Sequence, residues 1–295
     1  MAENTFLTAR FEEERTRLRA VAYRMLGSVS EADDAVQETW LRLSRAEVGE
    51  VRNLPAWLTT VVSRICLNLL RSREHRREEP LDLREPDESA LGRADGADPE
   101  QEALMADSVG LALLVVLDTL TPPERLAFVL HDMFSVPFDE IAPLIERSPT
   151  ATRQLASRAR RRVKGGTAVP DADLSRRRRV VEAFLAATRG GDLEALVVLL
   201  HPDVVLRADP FVVPSPEPIV ISGRQTVATG AMAAMERARS TVAALVNGTV
   251  GLAMAPLGRL RLVLGFTITD GLITEIEVIA DQKALRELEL GVLDA

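Results

Sequence analysis

One acidic stretch of the chain decides how the rest can fold. Between Glu78 and Asp107 eleven acidic residues stand against only Arg84 and Arg93, with Pro80, Pro86 and Pro99 and little apolar periodicity. A stretch of this composition buries too little apolar surface to offset its own conformational entropy, so residues 78–107 read as an acidic flexible linker. The chain must therefore fold as separate units, and 295 residues are enough for two or three of them.

On either side of this linker the sequence is helical. From Leu7 to about Arg77 it reads as successive amphipathic helices, punctuated at Gly27 to Ser30 and at Pro55, which defines a first all-α domain over 1–77. Helical pattern resumes near Leu104 and runs to Val163, giving a second all-α domain over 108–164. Gly165, Gly166 and Pro170 mark a second linker at 165–173. Beyond it the period changes. Two short helices around 176–189 and 193–200 precede the hairpin pairs Asn247-Gly248 and Asp270-Gly271, which favour type I′ turns. Leu260, Leu262, Leu264, Phe266 and Ile268 alternate along one face of a strand, and Ile276 and Val278 face away from Glu275 and Glu277 on the return strand. Residues 174–295 are expected to form a separate α+β domain.

The charge pattern narrows the function. A net charge of -8 excludes a protein that coats nucleic acid indiscriminately, so any DNA contact must come from local basic patches. The single cysteine, Cys66, lies in an apolar run, which rules out an intrachain disulfide or a cysteine-rich zinc cluster and fits a reducing, cytoplasmic setting. No apolar stretch is long enough to span a bilayer, and the N-terminus, with Arg10 and the glutamates from Glu12, has no signal-peptide pattern.

The strongest patch is the stretch 149–164, which holds Arg153, Arg158, Arg160, Arg161, Arg162 and Lys164 and no acid. Ser148 can cap a helix whose first turn accepts Pro149. Ala151, Leu155 and Ala159 would form the inward stripe, leaving Thr150, Arg153, Gln154, Ser157 and Arg161 outside. Upstream, residues 138–145 make a short helix with Ile141 inward, followed by the turn Glu146-Arg147-Ser148. The pattern is helix, tight turn, second helix, in which the second helix enters the major groove and its first turns meet base edges. Arginine and glutamine there make the paired contacts that distinguish bases. A solvated basic helix in an ordinary bundle has the same composition.

A second basic zone runs from Arg52 to Arg77, where Arg52, Arg64, Arg71, Arg73, Arg76 and Arg77 face only Glu74. Cations beside an aromatic ring suit single-stranded DNA, but the spacing of Trp57 to Val61 and Ile65 assigns that ring to the core. Earlier, Ser30 to Asp34 opens a helix with Ala32, Val36, Trp40 and Leu43 buried, and with Asp34, Gln37, Glu38, Leu41 and Arg42 outside. An acidic helix start is favourable on dipole grounds alone, so Asp33 and Asp34 need no functional explanation by themselves.

In order, these pieces resemble the extracytoplasmic-function (ECF) RNA polymerase sigma factors. The run AYRMLGSVSEADDAVQETWLRL from Ala22 is similar to that family's first core-binding helices, and PAWLTTVVSRICLNLLRSREHRR from Pro55 to its promoter-melting segment. LTPPERLAFVLHDMFSVPFDEIAPLIERSPTATRQLASRARRRV from Leu120 is similar to its C-terminal helix-turn-helix region. The resemblance implies that Asp34, Gln37, Glu38 and Arg42 contact the clamp helices of the largest subunit of core RNA polymerase. It implies that Arg64, Asn68, Arg71, Arg73, Arg76 and Arg77 meet the minus-ten element, and that Thr150, Arg153, Gln154, Ser157, Arg158 and Arg161 read the minus-thirty-five element. The acidic linker would then thread polymerase channels that normally hold nucleic acid.

The C-terminal region resembles the SnoaL-like cone-shaped domains fused to one group of these sigma factors, which are thought to regulate the sigma core by intramolecular contact. The closing motif of that group, Asn-Pro-Asp-Lys-Leu-like, stands here as Ala280-Asp281-Gln282-Lys283-Ala284-Leu285, and of the linker signature only Leu83-Arg84-Glu85-Pro86 is kept. His201, Asp209 and Phe211 are candidates to line a cavity in this domain, although His201, before Pro202, also suits a helix end. No phosphate loop or metal-ligand spacing occurs, so no cofactor, metal or catalytic role is expected. Two other readings stay open: a ligand-sensing helix-turn-helix regulator acting without polymerase, and a small hydrolase or isomerase carrying a helical targeting module.

Overall fold

The computed structural model describes residues 2–46, 53–78, 110–164, 171–213 and 217–293. Apart from Glu78 the acidic linker lies outside them, as do residues 165–170 of the second linker, whereas Asp171 to Asp173 already open a helix. The first helices are α1 (Ala2–Leu26), α2 (Val29–Arg45) and α3 (Leu54–Glu78). After the linker come α4 (Leu111–Asp118), α5 (Pro122–Phe128), α6 (Phe138–Ile141) and α7 (Pro149–Val163). The chain forms two compact units: one from the chain up to Val109 plus Leu120–Ala159, the other from Gly110–Thr119 plus Arg160–Ala295.

In the first unit α1 stops because Gly27 turns left-handed (φ 75°), and Ser28, not Ser30, caps α2 by accepting a hydrogen bond from the Glu31 amide at 3.4 Å. Phe11, Leu18 and Met25 of α1, Ala32, Val36 and Leu43 of α2, and Leu58, Val62 and Cys66 of α3 are buried. Trp57 is only half-buried, because the apolar stripe of α3 runs through Leu58, Val62, Ile65 and Cys66, one residue beyond the stripe expected from the sequence. Trp40 sits at the edge of the core, its ring 5.1 Å from that of Phe11.

Helix α5 is fastened at its start by Thr121, whose amide and hydroxyl both donate to the Glu124 carboxylate, at 3.3 and 2.9 Å. Its next turn widens into a π-helix at Val129–Met133 before Ser135 reverses the chain at φ 57°. Arg125 of α5 is 2% exposed and donates from Nε to the Arg24 carbonyl at the end of α1, 3.0 Å away. The Arg24 guanidinium in turn lies over the Phe134 ring, 5.2 Å from its centre. Residues of the first helical block and of the helix-turn-helix block thus share one packed interior within this unit.

The second unit is built on a seven-stranded mixed sheet of order β2-β1-β6-β5-β4-β3-β7. The strands are β1 (Leu200–Ala208), β2 (Ile219–Ser222), β3 (Thr241–Val246), β4 (Thr249–Met254), β5 (Leu262–Thr269), β6 (Leu272–Ile279) and β7 (Leu290–Gly291). Both sequence-predicted hairpins form, with Asn247 (φ 48°) and Gly248 (φ 78°) joining β3 to β4, and Asp270 (φ 53°) and Gly271 (φ 83°) joining β5 to β6. Helices α8 (Asp171–Gly190), α9 (Leu193–Leu199), α10 (Arg224–Ala233) and α11 (Met235–Ala238) cover one face, where Phe184, Leu196 and Val227 meet Leu252, Phe266 and Ile276.

The opposite face is covered too. Ala244, Val246, Ala253 and Val263 alternate with the residues just named and pack against Val115 and Val116 of α4 and Leu285 of α12 (Gln282–Glu287). Two-sided burial explains why β4 shows no polar alternation: five of its six residues are buried. Asp118 accepts a hydrogen bond from the Leu260 amide at 3.1 Å, and the Val292 amide donates to the Val163 carbonyl at 2.9 Å. The sequence assigns 110–119 and 160–164 to the helix-turn-helix domain, but in the structure these segments pack with the sheet. Leu260 joins this second face, because β5 begins only at Leu262. Among the described residues no helix is long and apolar enough to cross a membrane.

Cys66 offers a check on the packing of the first unit. Its burial pushes the thiol up to about 12 from an ordinary value of 9.0, which keeps it protonated and unreactive. Native protein at pH 8 is expected to react with a maleimide at least 100-fold more slowly than denaturant-unfolded protein. The unfolded chain loses this proton near pH 9 and the folded chain does not, so the thiol lowers stability only as pH rises above about 9. Fast labelling of the native protein would contradict the packing.

Candidate nucleic-acid interface

Helix α7 is set up by the turn before it. Glu146 adopts φ 55° and the Arg147 amide donates to the Ala142 carbonyl at 3.1 Å, which reverses the chain after α6 and its following 3-10 turn. Ser148 then caps α7, its Oγ accepting from the Ala151 amide at 3.2 Å, with Pro149 in the first turn. Ile141 is fully buried. The buried stripe of α7 consists of Thr152, Ala156 and Ala159, with Ala151 and Leu155 half-buried, so the helix is rotated by about one residue from the sequence-predicted stripe. The rotation reflects Thr152, whose hydroxyl donates to the Ser148 carbonyl at 2.9 Å and is thereby satisfied in the core.

Thr150, Arg153, Gln154, Ser157, Arg158 and Arg161 are all exposed. Arg153 lies 5.3 Å over the ring of Phe138, which stacks on His131, so its guanidinium is braced from the first helix of the motif. Arg158 stands 3.8 Å from the buried carboxylate of Glu124, the residue already engaged in the α5 cap. Arg161 makes no ion pair among the described residues. The face holds three arginines, a glutamine and two hydroxyls with no acid among them, a set that can donate to phosphates and pair with base edges.

On α3, Arg64, Asn68 and Arg71 are exposed at spacings of four and three, with Leu69 36% exposed beside them. Neither arginine has an ion-pair partner among the described residues. Arg73 differs from the sequence expectation. Its Nη1 donates to the Leu26 carbonyl at 3.2 Å and its Nη2 pairs with Glu31, leaving 15% of the side chain exposed. It ties α3 to the α1–α2 corner and is not presented as a DNA contact. The side chains of Arg76 and Arg77 lie outside the described residues.

On α2, Asp34, Gln37 and Arg42 are exposed and Glu38 is half-buried, held to Arg42 at 2.9 Å. Asp33 is engaged elsewhere, with Arg19 of α1 at 2.6 Å. Leu41 is 38% exposed in the middle of this polar face.

In the second unit a cavity of about 220 Å³ opens between the sheet and α8, α10 and α11. His201, Asp209 and Phe211 are not among the residues that line it, for identifiable reasons. His201 is the second residue of β1, not part of a turn, is half-buried, and accepts at Nδ1 from the Asp203 amide at 3.2 Å. The Asp209 carboxylate accepts from the amides of Phe211, Ala280 and Asp281, at 2.9, 2.6 and 2.7 Å, and so locks the end of β1 to the end of β6. Phe211 is 68% exposed. Among the described residues no group of acidic, histidine or cysteine side chains is placed to hold a metal ion.

Taken together, the first unit presents a helix-turn-helix with an uncompensated polar and cationic face and a second cationic helix surface, the equipment of a DNA-binding transcription protein. Residues 10–76 match Sigma-70 region 2 and residues 110–163 match Sigma-70 region 4. The protein described as "Probable ECF RNA polymerase sigma factor SigI" of Mycobacterium tuberculosis is 33% identical over 294 residues, 99% of each chain. The ECF RNA polymerase sigma factor SigJ of the same organism is 44% identical over 200 residues, which cover 68% of this chain and 64% of SigJ. A crystal structure of M. tuberculosis SigJ aligns at 32% identity over 94% of this chain and 97% of its own, with a TM-score of 0.44. The chain belongs to the extracytoplasmic-function RNA polymerase sigma factors, and carries after its sigma regions an α+β domain.

The different surroundings of Arg73 and Arg64 are directly testable. Arg73→Ala is expected to lower the stability of the first unit by about 2 kcal/mol, because it removes a half-buried ion pair with Glu31 and the donor to the Leu26 carbonyl. Arg64→Ala should change stability by less than about 0.5 kcal/mol. Thermal denaturation of the two variants would show the reverse order if these placements were wrong.

Proposed function

We propose that the chain joins core RNA polymerase in the cytoplasm through the outer face of α2, with Asp34, Gln37, Glu38 and Arg42 on the clamp helices of the largest subunit. Arg64, Asn68 and Arg71 of α3 then meet the minus-ten element, and the outward residues of α7 read the minus-thirty-five element. The observation that carries this reading is the acid-free outer face of α7, held outward by a buried stripe of small residues, together with a second cationic surface on α3. A regulator that reads DNA only through α7 has no use for the α3 surface.

The packing of the first unit supports a closed resting state. Elements named for positions ten and thirty-five lie about 25 base pairs apart, or about 85 Å at 3.4 Å per pair. Arg125 and Arg24, one from each sigma region, are in hydrogen-bond contact. The two regions must separate for both elements to be bound at once, and polymerase binding is the step that supplies the energy. The SnoaL-like domain acts on this equilibrium through α4, which belongs to region 4 by sequence and packs on the sheet of the second unit.

Promoter-dependent initiation by purified chain and core polymerase tests the whole reading; duplex binding without polymerase at equal affinity would replace it by the regulator. Replacing Arg153 or Gln154 by alanine should relax promoter choice, each lost bidentate contact removing about 1 to 3 kcal/mol of discrimination. Asp34→Ala combined with Gln37→Ala should weaken polymerase binding equally at every promoter, as measured by competition for core enzyme. Asp118→Ala, which releases the Leu260 amide, should change the level of transcription from a matched promoter without changing which promoter is used. An unchanged level would remove α4 as the route of regulation.

A further inference from the structure

The cavity of the second unit has a composition that defines its occupant. Its walls come from the sheet and from α8, α10 and α11 and are apolar except for Thr188, Thr241 and Arg237. Both threonine hydroxyls are spent on main-chain carbonyls: Thr188 donates to Phe184 and Thr241 to Arg237, each at 2.9 Å. Among the described residues no carboxylate, histidine, cysteine or tyrosine lines the space, so these walls offer no acid–base or nucleophilic group. Arg237 is the one charged residue among the described residues that line the cavity. It is exposed, and among the described residues its guanidinium has no ion-pair or hydrogen-bond partner.

The backbone that carries this arginine is fixed in place. Thr241 holds the Arg237 carbonyl, and Arg189 donates from Nε to the carbonyl of Ala238 at 2.9 Å and from Nη2 to that of Thr241. The rim is open and greasy: Val213 lines the cavity and is 43% exposed. A cavity of about 220 Å³ compares with about 150 Å³ for a dry protein cavity that accepts benzene. It therefore holds a ligand of roughly ten non-hydrogen atoms.

We propose that this cavity is a binding site for a small amphipathic monocarboxylate, with its hydrocarbon part among the apolar walls and its carboxylate on Arg237. An arginine fork matches a carboxylate with two parallel hydrogen bonds, and no acid among the described lining residues stands to repel it. A cation of the same size would meet Arg237 unfavourably, and a neutral alcohol would gain only the apolar walls. This proposal does not depend on the reading of the sigma regions, because the site is complete without DNA or polymerase.

The test uses the full chain with octanoate, 1-octanol and octylammonium in isothermal titration calorimetry. Octanoate is expected to bind one to one and at least tenfold more tightly than either of the others. Arg237→Gln should weaken octanoate about tenfold and leave 1-octanol unchanged, with the melting temperature of the variant confirming that it is folded. Gly230 lines the same cavity and a Cβ added there meets no atom within 4 Å, so Gly230→Leu should start without a backbone clash, intrude on the space and weaken both octanoate and 1-octanol. Absence of octanoate binding, equal affinity for octanoate and 1-octanol, or indifference of octanoate to Arg237→Gln would each overturn the assignment. Promoter-dependent initiation, measured separately, fails or succeeds independently of these outcomes.

Discussion

Every cation here assigned to DNA owes its position to an apolar stripe on the opposite side of its own helix. Burial of Thr152, Ala156 and Ala159 turns α7 so that Arg153, Gln154 and Arg161 face solvent, and burial of Leu58, Val62 and Cys66 does the same for Arg64 and Arg71 on α3. Small residues in the α7 stripe let the helix approach its neighbours closely, which fixes its rotation more tightly than long side chains would. A chain with a net charge of -8 can thus present concentrated positive surface where packing directs it. Attraction to phosphates at such a surface is local and weakens steeply with salt.

Not all the arginines are alike, and their surroundings sort them. Arg125 is buried with its Nε on a carbonyl, Arg73 is held by Glu31 and a carbonyl, and Arg189 ties α8 to the β3 edge. In each case a planar group with several donors satisfies main-chain oxygens at helix ends that would otherwise be left without partners. Arginines of this kind are structural. The arginines proposed to meet nucleic acid are the ones whose helices leave them outside such corners.

Much of this was legible in the sequence. Hairpin turns at Asn247-Gly248 and Asp270-Gly271, the cap at Ser148, the turn at 146–148 and the outward residues of α7 follow from local rules, because each depends on a few neighbouring residues. The roles of Arg73 and Asp209 are not legible in the sequence, for the opposite reason. Their roles are set by main-chain groups more than 40 residues away, Leu26 for one and Ala280 and Asp281 for the other, and no periodicity encodes such a meeting. Trp57 missed its stripe by a single position, an error that a helical pattern with adjacent apolar residues invites. The association of α4 with the sheet was hidden because its sequence, LALLVVLD, is apolar on every side and points to no particular partner.

That helix carries a consequence for how the protein can be divided. Residues 111–118 lie before the helix-turn-helix and more than 40 residues before the second linker, yet Val115 and Val116 find their cover on β3, β4 and β5. Cutting the chain in the second linker would strip two valines bare on the sigma side and uncover Ala244, Ala253 and Val263 on the other. Neither fragment would then be a faithful copy of its part of the whole, and each would carry a sticky face toward its neighbours in solution. The fused domain counts α4, a helix of region 4 by sequence, within its own packing.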